Sequence, residues 1–72
     1  MAKTLPELRA EREWSQYTLA TKLDVTPSTI LRWEKGTAEP SASMLRELAT
    51  LFGVRMEDIA LPPRPRSRKA AA

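Results

Sequence analysis

The sequence predicts an all-α fold, a compact five-helix bundle around a central helix-turn-helix, and three observations carry that prediction. The stretch QYTLATKLDVTPSTILRWEK, residues 16–35, reads as two short helices joined by a tight turn. Hydroxyl residues stand at Thr4, Ser15, Thr26 and Ser41, each just ahead of a helical stretch, where an N-cap side chain accepts from an otherwise free backbone N–H. Leu45, Leu48, Ala49 and Phe52 recur at i, i+3, i+4 and i+7, the spacing of a helix with one face in a core.

The first helix opens with a capping box, Thr4 accepting from the N–H of Glu7 while the Glu7 carboxylate reaches back to the N–H of Thr4. Leu5, Leu8 and part of Arg12 make its inner face, with Glu7, Glu11 and Glu13 outward. Trp14 precedes Ser15, the cap of the second helix. It takes the place of a hydrophobic staple over Leu19 or Thr18, a half-exposed lid on the core. Leu19, Ala20 and Leu23 share one side of the second helix. Asp24 and Val25 make the turn, and Val25 plugs the junction where two helices meet steeply. The third helix starts at Thr26-Pro27, a hydroxyl cap and a proline at the first helical position, where a missing N–H does no harm. Ile30 and Trp33 are its buried face. Two helices so joined form a unit whose second helix can lie in the DNA major groove.

Residues 37–40 are loop, Ser41 caps the fourth helix, and Gly53 stops it with Val54 as the apolar contact beyond. A last short helix is expected over Met56 to Ala60, adding Ile59 and Leu61. One domain thus occupies residues 1–61. Residues 62–72 form a basic Pro/Arg tail with too little apolar content to pack, and disorder is expected there.

Composition limits the chemistry. The 72 residues include no cysteine and no histidine, which excludes disulfide staples and zinc-finger ligand sets. Neither a cofactor nor a metal is expected. With the acids dispersed over surface helices, no nucleophile–base set assembles, so an enzyme is not expected either. The charged N-terminus lacks the apolar region of a signal peptide, and no apolar run approaches the roughly 20 residues that span a bilayer. A cytoplasmic protein without a membrane partner is the expectation. The net charge of +3 and pI near 9.8 come from the tail, where Arg64, Arg66, Arg68 and Lys69 face no acid. Residues 1–61 hold eight basic and nine acidic side chains, so any argument for nucleic acid must rest on where charges sit.

With Arg9 upstream and Glu34-Lys35-Gly36 and Pro40 downstream, the central stretch resembles the phage-repressor and Cro-like helix-turn-helix family, also called the XRE family. The match includes Ser15-Gln16 opening the second helix, Leu19-Ala20 within it, Ile30 in the third, and Trp33-Glu34-Lys35-Gly36 closing it. It covers the chain from Leu5 to Leu61. The resemblance implies the five-helix fold of phage-repressor DNA-binding domains and a sequence-specific transcriptional regulator, a repressor. It implies a homodimer on an operator with palindromic half-sites about one helical turn apart. It also implies an ion pair beneath the surface between Arg9 and Glu34, the alternative being that Glu34 pairs locally with Lys35 or water. At Gln16 it implies a phosphate contact that also braces the recognition helix. Three positions depart from the pattern. Trp14 stands where a small or aliphatic residue is usual. Asp24 stands where a glycine usually supplies left-handed φ, a region aspartate tolerates better than most. Pro27 and the short Ser28 replace residues with longer polar reach.

At about 100° per residue, Ile30 and Trp33 fall on one side of the third helix, and Pro27, Ser28, Leu31, Arg32 and Lys35 on the other. Arg32 can bond bidentately to guanine O6 and N7, Ser28 can donate or accept, and Leu31 or Pro27 can meet a thymine methyl. These four are the expected base contacts, with specificity leaning on Arg32. A merely solvated face would carry more acids and no exposed leucine. Thr26, Thr29, Lys35 and the N–H groups of Gly36 and Thr37 join Gln16 as expected phosphate contacts, and Tyr17 is expected to face solvent or a phosphate. The rival is an antitoxin or bridging module whose basic tail engages an acidic protein partner. Met56, Ile59 and Leu61 are the expected dimer surface, although all three could be core. At 72 residues there is no room for a ligand-sensing domain, so regulation is expected through concentration, partners or proteolysis.

Overall fold

Four hydroxyl caps set four helix starts in the computed structural model, which describes residues 2–63. Thr4 precedes α1 (Leu5–Glu11), Ser15 precedes α2 (Gln16–Leu23), Thr26 precedes α3 (Pro27–Lys35) and Ser41 precedes α4 (Ala42–Phe52). Each cap oxygen accepts from the N–H three residues on, at 3.3, 3.0, 3.2 and 3.2 Å in chain order. At α1 the box is complete, with the Thr4 N–H donating to Glu7 Oε1 at 2.8 Å.

All four helices also end alike. Glu13, Asp24, Gly36 and Gly53 adopt left-handed φ of 60°, 59°, 83° and 69°. The N–H after each reverses onto a carbonyl five residues back: Trp14 to Arg9, Val25 to Ala20, Thr37 to Arg32 and Val54 to Ala49, all at 2.9–3.0 Å. This closure satisfies carbonyls that the last turn would otherwise strand.

The expected fifth helix is absent among the described residues. Met56–Asp58 makes a single 3-10 turn, and Ile59–Ala60 continues as a strand, β2, paired in parallel with β1 (Lys3–Thr4) in the register Lys3 to Ile59 and Thr4 to Ala60. Five residues are too few to nucleate an α-helix without help. Pro62 also biases Leu61 towards extended backbone, and Lys3-Thr4 offers a partner for that backbone. In the turn, Arg55 bonds Asp58 and holds its carboxyl below the ordinary carboxylate range.

The core draws on every helix. Leu5, Leu19, Ile30 and Leu48 are fully enclosed, and Leu8, Ala20, Leu23, Trp33, Ala49, Phe52 and Ile59 complete it. Val25, Leu45 and Val54 pack half-buried against these, Val25 at the turn between α2 and α3. Trp14 is half-buried as a lid, but its ring partner is Phe52, with centroids 5.6 Å apart. Arg12 Cζ and Lys22 Nζ stand 5.5 and 4.8 Å from the Trp14 ring. Ile59 belongs to this core and so leaves the expected dimer surface, of which Met56 and Leu61 are half-buried.

Candidate nucleic-acid interface

α3 is held from behind by one buried carboxylate. Glu34, with 7% of its side chain exposed, accepts from Arg9 Nε at 2.6 Å, from Arg9 Nη2 at 3.2 Å and from Gln16 Nε2 at 2.8 Å. Arg9 Nη1 donates in turn to the Trp14 carbonyl at 3.0 Å. The network ties α1, the α1–α2 turn and the start of α2 to the end of α3. It is bidentate, and the Arg9 side chain is only 17% exposed, so both charges lose water and must be satisfied by one another.

The C-terminal end of α3 is held from a second side. Gly36 is buried although it lies in a turn, because Pro62 and Pro63 lie on it. A Cβ built there would sit 3.0 Å from the Pro63 carbonyl oxygen and 3.2 Å from Pro62 Cγ. β2 thus leads the chain to the end of α3, so Pro62 and Pro63 pack against the domain instead of belonging to the unpacked tail expected over 62–72, of which residues 64–72 lie outside the described residues.

What remains free is the outward arc. Pro27, Ser28, Leu31, Arg32 and Lys35 are exposed, while Ile30 and Trp33 are buried behind them. The acidic side chain among residues 26–37 is Glu34, which faces inward to Arg9. The exposed arc therefore carries two cations, one hydroxyl and two apolar groups. Tyr17 is 69% exposed and Leu31 38%. Gln16 is half-buried. An amide nitrogen has two N–H groups, so the one given to Glu34 leaves a second.

Not every expected phosphate contact has a free donor. The N–H groups of Gly36 and Thr37 both donate to the Arg32 carbonyl, at 2.9 and 3.0 Å, closing α3. The Thr37 hydroxyl faces the same oxygen at 3.4 Å. Thr26 and Thr29 share a hydroxyl–hydroxyl bond of 3.0 Å, with Thr26 exposed and Thr29 half-buried. Lys35 is exposed at the end of the helix. The residues expected at the interface thus divide into an outward group, an inward brace and a closed turn.

Sequence reasoning missed the Gln16 bond to Glu34 as the form that bracing takes. It also missed Arg12, whose Nη2 donates to the Phe52 carbonyl at 2.6 Å and so caps α4 from the far end of the chain. Its signal was faint: an arginine three residues after Arg9 and two before Trp14. Among the described residues no group of three His, Cys, Asp or Glu side chains is placed to hold a metal ion. No helix among them is long and apolar enough to cross a membrane.

Comparison with known proteins adds a family to this geometry. A family model described as helix-turn-helix matches residues 7–59. An uncharacterised helix-turn-helix-type transcriptional regulator of Methanocaldococcus jannaschii is 41% identical over 59 residues, 82% of this chain and 89% of that protein. A multiprotein-bridging factor 1 of Candida glabrata is 33% identical over 61 residues, and a putative multi-protein-binding factor 1 of Yarrowia lipolytica 28% over 71. Those matches take in 85% and 96% of this chain but only 40% and 47% of the fungal proteins.

Proposed function

The chain belongs to the helix-turn-helix family, and from that premise we propose that it binds double-stranded DNA sequence-specifically as a transcriptional repressor, reading the major groove with α3. It is a DNA-binding regulator and not an enzyme. The observation that carries this reading is the outward arc of α3: Pro27, Ser28, Leu31, Arg32 and Lys35 exposed, no acid among them, on a helix braced from behind. Arg32 offers a planar fork to guanine, and Ser28, Pro27 and Leu31 lie close enough on the same arc to face neighbouring bases. Lys35 at the end of that arc, Thr26 and Thr29 at its start, and Gln16 and Tyr17 at the start of α2 supply phosphate contacts, which set register rather than sequence. A homodimer would place two such helices on half-sites ~34 Å apart. Met56 and Leu61 are the apolar groups left for its interface.

The test is a binding-site selection from random duplex DNA at fixed salt, with wild type, Arg32→Ala and Lys35→Ala. Arg32→Ala should cost about 1–3 kcal/mol and relax preference at one base pair per half-site. Lys35→Ala should weaken all sequences nearly alike. A uniform loss with an unchanged motif for Arg32→Ala would reassign that residue to phosphate.

The two fungal relatives, named as bridging and protein-binding factors, favour a second reading in which the domain also engages a protein. Selection of a discrete DNA motif by the isolated chain, with no partner present, counts against that reading as the primary one.

A further inference from the structure

Half of the four residues facing outward for base contact cannot hydrogen-bond a base through a side chain. Pro27 and Leu31 stand four residues apart on α3, one helical turn, and both are exposed. Together they form an apolar edge to the arc, beside the polar edge of Ser28 and Arg32. Leu31 is one of two large apolar side chains left exposed among the described residues, at 38%. A single exposed leucine is ordinary on a protein surface. This one is placed where water must leave if α3 enters a groove.

An apolar group in the major groove has one chemical partner among the base edges, the 5-methyl group of thymine. That methyl belongs to the pyrimidine ring position and not to thymine as such, since 5-methylcytosine carries it at the same place. We propose that the Pro27–Leu31 edge makes this domain a reader of the pyrimidine 5-methyl group. Duplex DNA with thymine at the position beneath Leu31 is then bound better than the same duplex with uracil. At that position 5-methylcytosine is bound better than cytosine. The inference rests on α3 reading bases, as proposed above. It adds the chemical class of one reading position and makes binding sensitive to cytosine methylation there.

The effect has a natural size. Taking one methyl group out of water is worth about a fourfold change in affinity per half-site. Arg32, on the other edge of the arc, takes no part in it, so guanine preference and methyl preference separate by mutation.

The experiment uses the full chain and a duplex recovered by binding-site selection. Each thymine of the half-site is replaced singly by uracil, and affinities are measured at one salt concentration. The expected result is a loss of about fourfold at one position, matched by an equal gain when cytosine there becomes 5-methylcytosine. Leu31→Ala should bind the thymine and uracil duplexes alike while keeping the wild-type guanine preference. Leu31→Met, which retains apolar reach, should keep the discrimination. Because Leu31 is exposed, neither substitution disturbs the core. Tolerance of uracil at every position, a selected motif without thymine opposite α3, or an undiminished uracil penalty in Leu31→Ala would each overturn the inference while leaving base reading by Arg32 intact. Failure to select any motif would remove base reading, and this inference with it.

Discussion

Replacing Glu34 by alanine removes the acceptor on which three donors converge, and the consequence follows from how little water can reach the site. Arg9 keeps its bond to the Trp14 carbonyl, but loses both bonds from Nε and Nη2 while only 17% of its side chain is exposed. Breaking a buried pair from one side costs about 3–5 kcal/mol, and the partial exposure of Arg9 places this case near 3. For a domain of this length, that is a fall in melting temperature of roughly 12–24 °C. Gln16→Ala removes one donor and leaves the pair intact, so its cost should be about 1.5 kcal/mol. The double replacement Arg9→Met/Glu34→Met strands no charge and should be less damaging than Glu34→Ala alone. Thermal and urea melts followed by circular dichroism, on wild type, Glu34→Ala, Gln16→Ala, both single Met variants and the double Met variant, measure these losses, and the Met cycle gives the coupling energy directly. Additive losses below about 1 kcal/mol would refute the reasoning, because an exposed pair behaves in that way.

The left-handed helix ends give two opposed expectations. Glu13→Gly should be neutral or stabilising by up to about 1 kcal/mol, since a non-glycine residue at φ 60° is strained and its side chain is exposed. Gly36→Ala should be markedly worse than Gly53→Ala in the same melts, because its Cβ meets Pro63 at 3.0 Å whereas that of Gly53 meets only the end of Arg12 at 3.9 Å. For the basic tail, truncation after Pro63 should flatten the slope of log K against log salt by up to about 3.6, at ~0.9 per cation, without changing the selected motif. Truncation after Leu61 should also lower stability, by uncovering Gly36.

Legibility followed locality. The four caps, the core stripe of α4 and the buried pair Ile30 and Trp33 are each written within a few residues, and each is where the sequence places it, whereas the left-handed turn at Asp24 was implied by the family resemblance. The strand pair is not written anywhere. Two residues have no period, and Lys3 meets Ile59 only after the core has brought the chain ends together. Glu13 in the left-handed region has no compositional signal, because the six-to-one closure from Trp14 to Arg9 imposes it. At the site, the outward arc of α3 follows from helical period alone. The Arg9–Glu34 pairing, 25 residues apart, came from resemblance to a family. Donors at Gly36 and Thr37 could not be judged from sequence, since both depend on how α3 closes.

Gln16 is where stability and DNA binding meet, and the two contributions are separable. One N–H of its amide goes to Glu34 at 2.8 Å, and the second is left for an acceptor at the start of α2, where the helix dipole favours an anion. If that acceptor is a phosphate, Gln16→Ala should weaken specific and non-specific duplexes by the same factor, about fivefold for one hydrogen bond. The ratio of the two affinities should then stay at its wild-type value, unlike in Arg32→Ala, where it should fall. Measuring both affinities well below the melting temperature of the variant removes the stability effect from the comparison. A fall in the ratio for Gln16→Ala would show instead that the bond to Glu34 sets how α3 seats in the groove. In that case the brace, and not a phosphate contact, is what Gln16 contributes to recognition.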